Sequence, residues 1–119
     1  MKRHYLFGAI IIALLISLCS CTFVIEPLDK NAGFSDQLTK LEDDIRNDSW
    51  VQAGEELKEA KEDWEKIKPW IQIDIDHDYV HELEENLTRL EGYIATETKS
   101  EALATILMIH ETWSDMQSL

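Results

Sequence analysis

The segment Q-L-T-K-L-E-D-D-I at 37–45 reappears as N-L-T-R-L-E-G-Y-I at 86–94, and the correspondence continues without a gap at a shift of 49 residues. Leu38, Thr39, Leu41, Glu42 and Ile45 meet Leu87, Thr88, Leu90, Glu91 and Ile94. Farther on, Ser49 meets Thr98, Ala53 meets Ala102, Leu57 meets Ile106, Glu62 meets Glu111 and Trp64 meets Trp113. Any two amphipathic hairpins share leucines through spacing, but spacing does not dictate matching polar and tryptophan positions. A repeat of this length is one supersecondary unit that cannot bury its apolar face alone and is completed by its neighbour. The expected fold is mostly α: two similar helical hairpins, about 35–67 and 76–116, closing into a four-helix domain over 35–119.

Apolar positions within each unit follow helical steps of three and four. Phe34, Leu38, Leu41 and Ile45 make one stripe; Trp50, Ala53, Leu57, Ala60, Trp64, Ile67 and Ile71 make the next. Val80, Leu83, Leu87, Leu90 and Ile94 give a third, and Leu103, Ile106, His110 and Trp113 a fourth. Ser49-x-x-Gln52 and Thr98-x-x-Glu101 fit the capping box, which satisfies orphan amides at a helix start. Pro69 is expected to end or kink the second helix near Ile67. Asp74, Asp76 and Asp78 suit the start of the third, where helix amides favour negative charge.

The first 25 residues are of another kind. Lys2, Arg3 and His4 precede an apolar run over 6–18, which reads as a signal peptide or membrane anchor over 1–25, followed by a tether at 26–34 containing Pro27, Asn31 and Gly33. Leu18-Cys19-Ser20-Cys21 resembles a lipobox, which makes Cys21 the candidate acylated residue. The competing reading is an uncleaved anchor helix, because Phe23-Val24-Ile25 prolongs the apolar run to a length that spans about 30 Å of hydrocarbon. Both place the basic start inside and the helical domain on the extracytoplasmic side of the cell membrane.

Charge narrows the partners. The formal charge is −13, and removing Lys2 and Arg3 takes it to −15, so the domain repels phosphate backbones and anionic headgroups. Nucleic acid is excluded as a partner, and so is a domain lying flat on lipid. Both cysteines, Cys19 and Cys21, lie in the N-terminal segment, which leaves the domain without disulfide, thiol nucleophile or thiolate ligand. No Gly-rich phosphate loop and no recognisable nucleophile setting is present, so the sequence does not read as an enzyme and implies no cofactor.

Three features carry candidate chemistry. In D-I-D-H-D-Y-V-H-E-L-E-E at 74–85, His77 and His81 share a helix face and Asp76 and Asp78 add oxygens, a candidate cation site. It grazes the calcium-loop pattern, but Tyr79 stands where a glycine is needed. The competing reading is a solvated, acid-rich helix start. His110 sits on an apolar stripe, where a histidine is a ligand, a proton carrier or a hydrogen-bonded group at the core edge. On the last helix Ala104, Leu107, Met108 and Ile109 widen the apolar surface, so Leu107 and Met108, with Trp113 near the helix end, are candidate partner-binding residues. Trp64 and Trp113 equally suit core filling. The acidic runs are expected to be solvated faces held by pairs such as Glu42 with Arg46 and Glu62 with Lys66.

With the anchor, D-S-W-x-x-A, E-D-W-E-K-I-K-P-W, I-D-H-D and the L-T-R-L-E-G-Y-I … S-E-A-L-A helix pair in view, nearly the whole chain resembles the bacterial family designated domain of unknown function 4363. The resemblance implies a short protein of spore-forming Gram-positive bacteria with one N-terminal membrane segment and a helical domain outside. It brings no catalytic residues, and the Cys19-Ser20-Cys21 end of the anchor departs from its pattern. The expected function is a membrane-anchored helical interaction or adaptor module whose partner is an envelope protein or a second copy; the alternative is a divalent-cation sensor using 74–85.

Overall fold

The computed structural model describes residues 33–119, so the anchor, most of the tether and Cys21 lie outside the described residues. Four helices follow one another: α1 (Phe34–Arg46), α2 (Trp50–Ile71), α3 (His77–Ala95) and α4 (Lys99–Ser118). No strand occurs among the described residues. α1 packs on α2 and α3 on α4 within the hairpins; α1 on α4 and α2 on α3 form the seams between them. Each helix touches the next and the last returns to the first, closing an up-and-down bundle.

The repeat governs the core. Phe34, Leu38, Leu41, Ile45, Ala53, Leu57, Ala60, Trp64 and Ile67 are buried, and so is the residue 49 positions later in every case: Leu83, Leu87, Leu90, Ile94, Ala102, Ile106, Ile109, Trp113 and Met116. Exchanging the hairpins maps α1 on α3 and α2 on α4, a half-turn about the bundle's long axis. Trp64 and Trp113 meet at 6.3 Å, edge to face, with Phe34 wedged against both at 5.8 and 4.8 Å. Such edge contacts set the negative ring face against a positive ring edge.

The hairpin turns repeat as well. At the first, Ser49 N–H donates to Asp44 O (2.8 Å) and Asp48 N–H to Ile45 O (3.2 Å); at the second, Thr98 N–H donates to Tyr93 O (2.9 Å) and Glu97 N–H to Ile94 O (3.1 Å). This is the Schellman pattern, which satisfies the last carbonyls of a helix and requires a left-handed residue. Asp48 (φ 58°) and Glu97 (φ 54°) fill that place, without the glycine that most turns of this kind use. Ser49 and Thr98 are the N-caps, but neither side chain makes a capping bond, so the capping boxes are correct in position and not in bonding. Their ψ angles are 66° and 86°, and the Thr98 hydroxyl pairs with that of Thr96 at 2.6 Å instead of with a first-turn amide.

Three further expectations are corrected. Of the two alternatives for Pro69, a stop near Ile67 does not occur, since α2 runs through Pro69 to Ile71. Pro69 lies in the last turn, where it forfeits only its own bond to the preceding turn, and burial of Ile71 and Ile75 secures the segment. Lys66 bonds to Asp63 at 2.8 Å and not to Glu62, whereas Arg46 pairs with Glu42 at 2.7 Å as the spacing implies. On α4 the buried stripe is Ala102, Thr105, Ile106, Ile109, Thr112, Trp113 and Met116, with Leu103 and His110 only partly covered. Small side chains at 102, 105 and 112 share the inward face with Ile106, Ile109, Trp113 and Met116, which leaves Leu103 and His110 at its edge.

Candidate functional site

The hairpins are tied by polar bonds that obey the same 49-residue shift as the core. Trp64 Nε1 donates to Glu84 Oε1 at 3.1 Å, and Trp113 Nε1 donates to Ser35 Oγ at 2.9 Å. Trp113 is Trp64 shifted forward, and Ser35 is Glu84 shifted back, so each indole reaches the equivalent place on the opposite hairpin. Lys61 Nζ meets Glu91 Oε2 at 2.5 Å across one seam; the shifted pair, His110 Nε2 and Glu42 Oε2, approaches to 3.1 Å across the other without forming a hydrogen bond, which leaves the buried Nε2 without a hydrogen-bond partner. His110 therefore stands where the first hairpin has Lys61, a seam residue at the core edge. Lys68 adds a bond to Glu84. Burial pushes the Glu84 carboxyl up, but the bonds from Lys68 and Trp64 outweigh it and hold the group below its ordinary value, while Lys68 is raised by the same bond.

Trp113 is 3% exposed, with its ring packed and its N–H bonded inside the bundle. It belongs to the core and offers no surface to a partner, which corrects its place among the candidate binding residues. Leu107 and Met108, at 49% and 42%, do face solvent on the outer side of α4. Ile109, counted with them from the sequence, is fully buried.

The residues of the candidate cation site are spread along the exposed start of α3. Asp76 is the N-cap, accepting a bond from the Asp78 N–H at 3.3 Å, and His81 Nε2 lies 4.0 Å from Glu85 Oε1 one turn on. Asp76, His77, Asp78 and His81 are all exposed. Among the described residues no group of three or more His, Cys, Asp or Glu is placed to hold a metal ion. The acids at 76 and 78 serve the helix end, as the competing reading of this stretch requires.

At Gly54 the duplicated geometry fails, and the failure leaves a groove. Between α2 and α3 a cleft of about 500 Å³ is floored by Leu57, Ile94, Ala95 and the bare backbone of Gly54 and rimmed by Lys58, Lys61, Glu62, Glu65 and Glu91. At the corresponding position of the other seam, Gly54 becomes Leu103, which packs against the core, and Lys58 becomes Leu107. A Cβ added to Gly54 would meet nothing within 4 Å. On α4 a leucine packs against the core at this position; α2 lacks that side chain. Sequence reading missed this because it scored residues that were present, and the signal was an absence: Gly54, inside a helix, aligned with Leu103.

Among the described residues four further large hydrophobes are exposed, Val51, Trp70, Ile73 and Leu119, and two of them adjoin one turn. Trp70 is 61% exposed and Ile73 72%, both at the α2–α3 turn. Trp70 lies between the stripe residues Ile67 and Ile71 and on neither side's register, which was the available signal. A family model described as Domain of unknown function (DUF4363) matches residues 23–117. No curated protein and no solved structure matches the chain.

Proposed function

We propose, from the premise that the chain belongs to the family described as Domain of unknown function (DUF4363), that it is a membrane-held adaptor module. In this reading its bundle stands outside the cell membrane and docks an envelope protein. The observation that carries the reading is the α2–α3 groove, apolar on its floor and mixed in charge at its rim, left open at Gly54 where the duplicate seam is closed by Leu103. A partner side chain of leucine size, flanked by polar groups, completes the seam as Leu103 does. Pockets of this kind, with an apolar centre inside a polar ring, concentrate binding energy at few residues. Leu107 and Met108 give the outer side of α4 a second apolar area.

The test places a photo-crosslinking residue at Lys58 in the full-length chain in intact cells, with and without Gly54→Leu. That substitution fills the groove from within and replaces a helical glycine, so the fold tightens while the docking site disappears. Capture of a defined protein that is lost with Gly54→Leu supports the reading. Capture unchanged by Gly54→Leu refutes it.

A further inference from the structure

The two ends of the bundle differ. One carries the two Schellman turns, where Lys99 Nζ bonds Arg46 O (2.7 Å) and Asp48 (3.0 Å) and ties the hairpins together. The other carries the start of α1, the α2–α3 turn and the end of α4, and here Trp70, Ile73 and Leu119 stand in solvent, against Val51 at the first end. The heights of these elements follow from their packing. Phe34, the first residue of α1, lies level with Trp64, at 5.8 Å between ring centres. Trp70 is six residues farther along α2 and so projects about 9 Å beyond the point where the described chain begins.

We propose that this end is a foot that rests in the headgroup region of the bilayer, with Trp70 and Ile73 as its contacts. The inference rests on the membrane-held reading above. Residues 1–32 precede the described chain and include the apolar run over 6–18, so the chain comes to the bundle from the foot end. Eight residues, 26–33, span at most about 28 Å, more than the 9 Å by which the foot overtops the start of α1. Indole is the side chain most at home at a membrane–water boundary, apolar in body with one donor for water or headgroup. The remaining surface sets the stance: acidic groups along the bundle oppose lying flat, and exposed Asp74, Asp76 and Asp78 confine the contact to the corner held by Trp70 and Ile73. Nearby lysines are already engaged, Lys66 by Asp63 and Lys68 by Glu84, so the contact is apolar and does not depend on anionic lipid.

The test reconstitutes the full-length chain in phosphatidylcholine vesicles, with flotation as one readout and tryptophan emission as the other. Trp64 and Trp113 are buried and Trp50 is at the far end of α2, so quenching by lipid brominated near the headgroup reports Trp70. The expected result is flotation, with bromolipid quenching that Trp70→Phe removes and with iodide quenching reduced to the share that partly buried Trp50 retains. Flotation without bromolipid quenching overturns the foot and leaves the anchor standing. Shielding of Trp70 from iodide without bromolipid quenching also overturns it, and assigns the corner to a second copy or to residues before 33. Failure to float overturns both the anchor and the foot.

Discussion

Replacing Glu97 with glycine should raise the stability of the bundle, and the amount follows from one dihedral angle. Glu97 occupies the left-handed place of the second Schellman turn at φ 54°, where an L side chain costs roughly 1–2 kcal/mol. Glycine removes that cost but frees the unfolded chain, which takes back about 0.5–1 kcal/mol. The net expectation is a gain of about 0.5–1 kcal/mol, or a rise of roughly 2–8 °C in Tm for a domain of this size. Asp48 holds the same place in the first turn at φ 58°, yet Asp48→Gly should gain far less. Aspartate tolerates the left-handed region better, and this carboxylate is paired with Lys99 at 3.0 Å, an exposed bond worth about 0.2–1 kcal/mol. Thermal unfolding of the two variants beside the parent, followed by circular dichroism at 222 nm, measures the difference. A lower Tm for Glu97→Gly would refute the strain assigned to Glu97, and a larger gain for Asp48→Gly would refute the tolerance and the Lys99 pairing assigned to Asp48.

Trp113→Ala empties the meeting point of three aromatic rings and breaks the bond to Ser35, so it should cost about 3–5 kcal/mol in denaturant unfolding. A loss below ~1 kcal/mol would place Trp113 outside the core. Leu107→Lys with Met108→Lys should leave stability within about 0.5 kcal/mol, since both residues face water; a large loss would mean that α4 is oriented otherwise. Because the folded state holds the Glu84 carboxyl below its ordinary value of 4.5, Glu84 adds stability above that pH and loses it as pH falls through the lowered value. Glu84→Gln should therefore flatten the acid side of the Tm profile, and an unchanged slope would deny the Glu84 bonds that role. Titration with calcium, zinc or manganese should leave Tm flat; a rise abolished by His77→Ala with His81→Ala would establish a cation site at the start of α3.

The helices, their pairing and most of the core were legible because each depends on periodicity, and the 49-residue shift shows directly in Leu38, Leu41, Ile45, Leu57 and Trp64 against their partners. The inward face of α4 was not, because Ala102, Thr105 and Thr112 pack by being small, a property that counting hydrophobes does not register. Pro69 misled for a related reason: its local preference favours a stop, but tertiary burial of Ile71 and Ile75 carries the helix past it. The paired residues were all visible in the sequence, yet their bonding was not. Nothing local says that Trp64 finds Glu84 and Trp113 finds Ser35, since those contacts exist only after two hairpins meet. The position of His110 is explained once it is seen to stand in Lys61's place, although its buried Nε2 makes no hydrogen bond there.

Native-state hydrogen exchange on the domain from residue 33 onward tests most directly whether two equivalent hairpins share a single core. If each half exists only by covering the other, the slowest amides of all four helices, near Leu41, Leu57, Leu90 and Ile106, will exchange through one global opening with the same free energy. A hairpin whose slowest amides open independently, at a free energy lower by more than about 2 kcal/mol, would contradict the account.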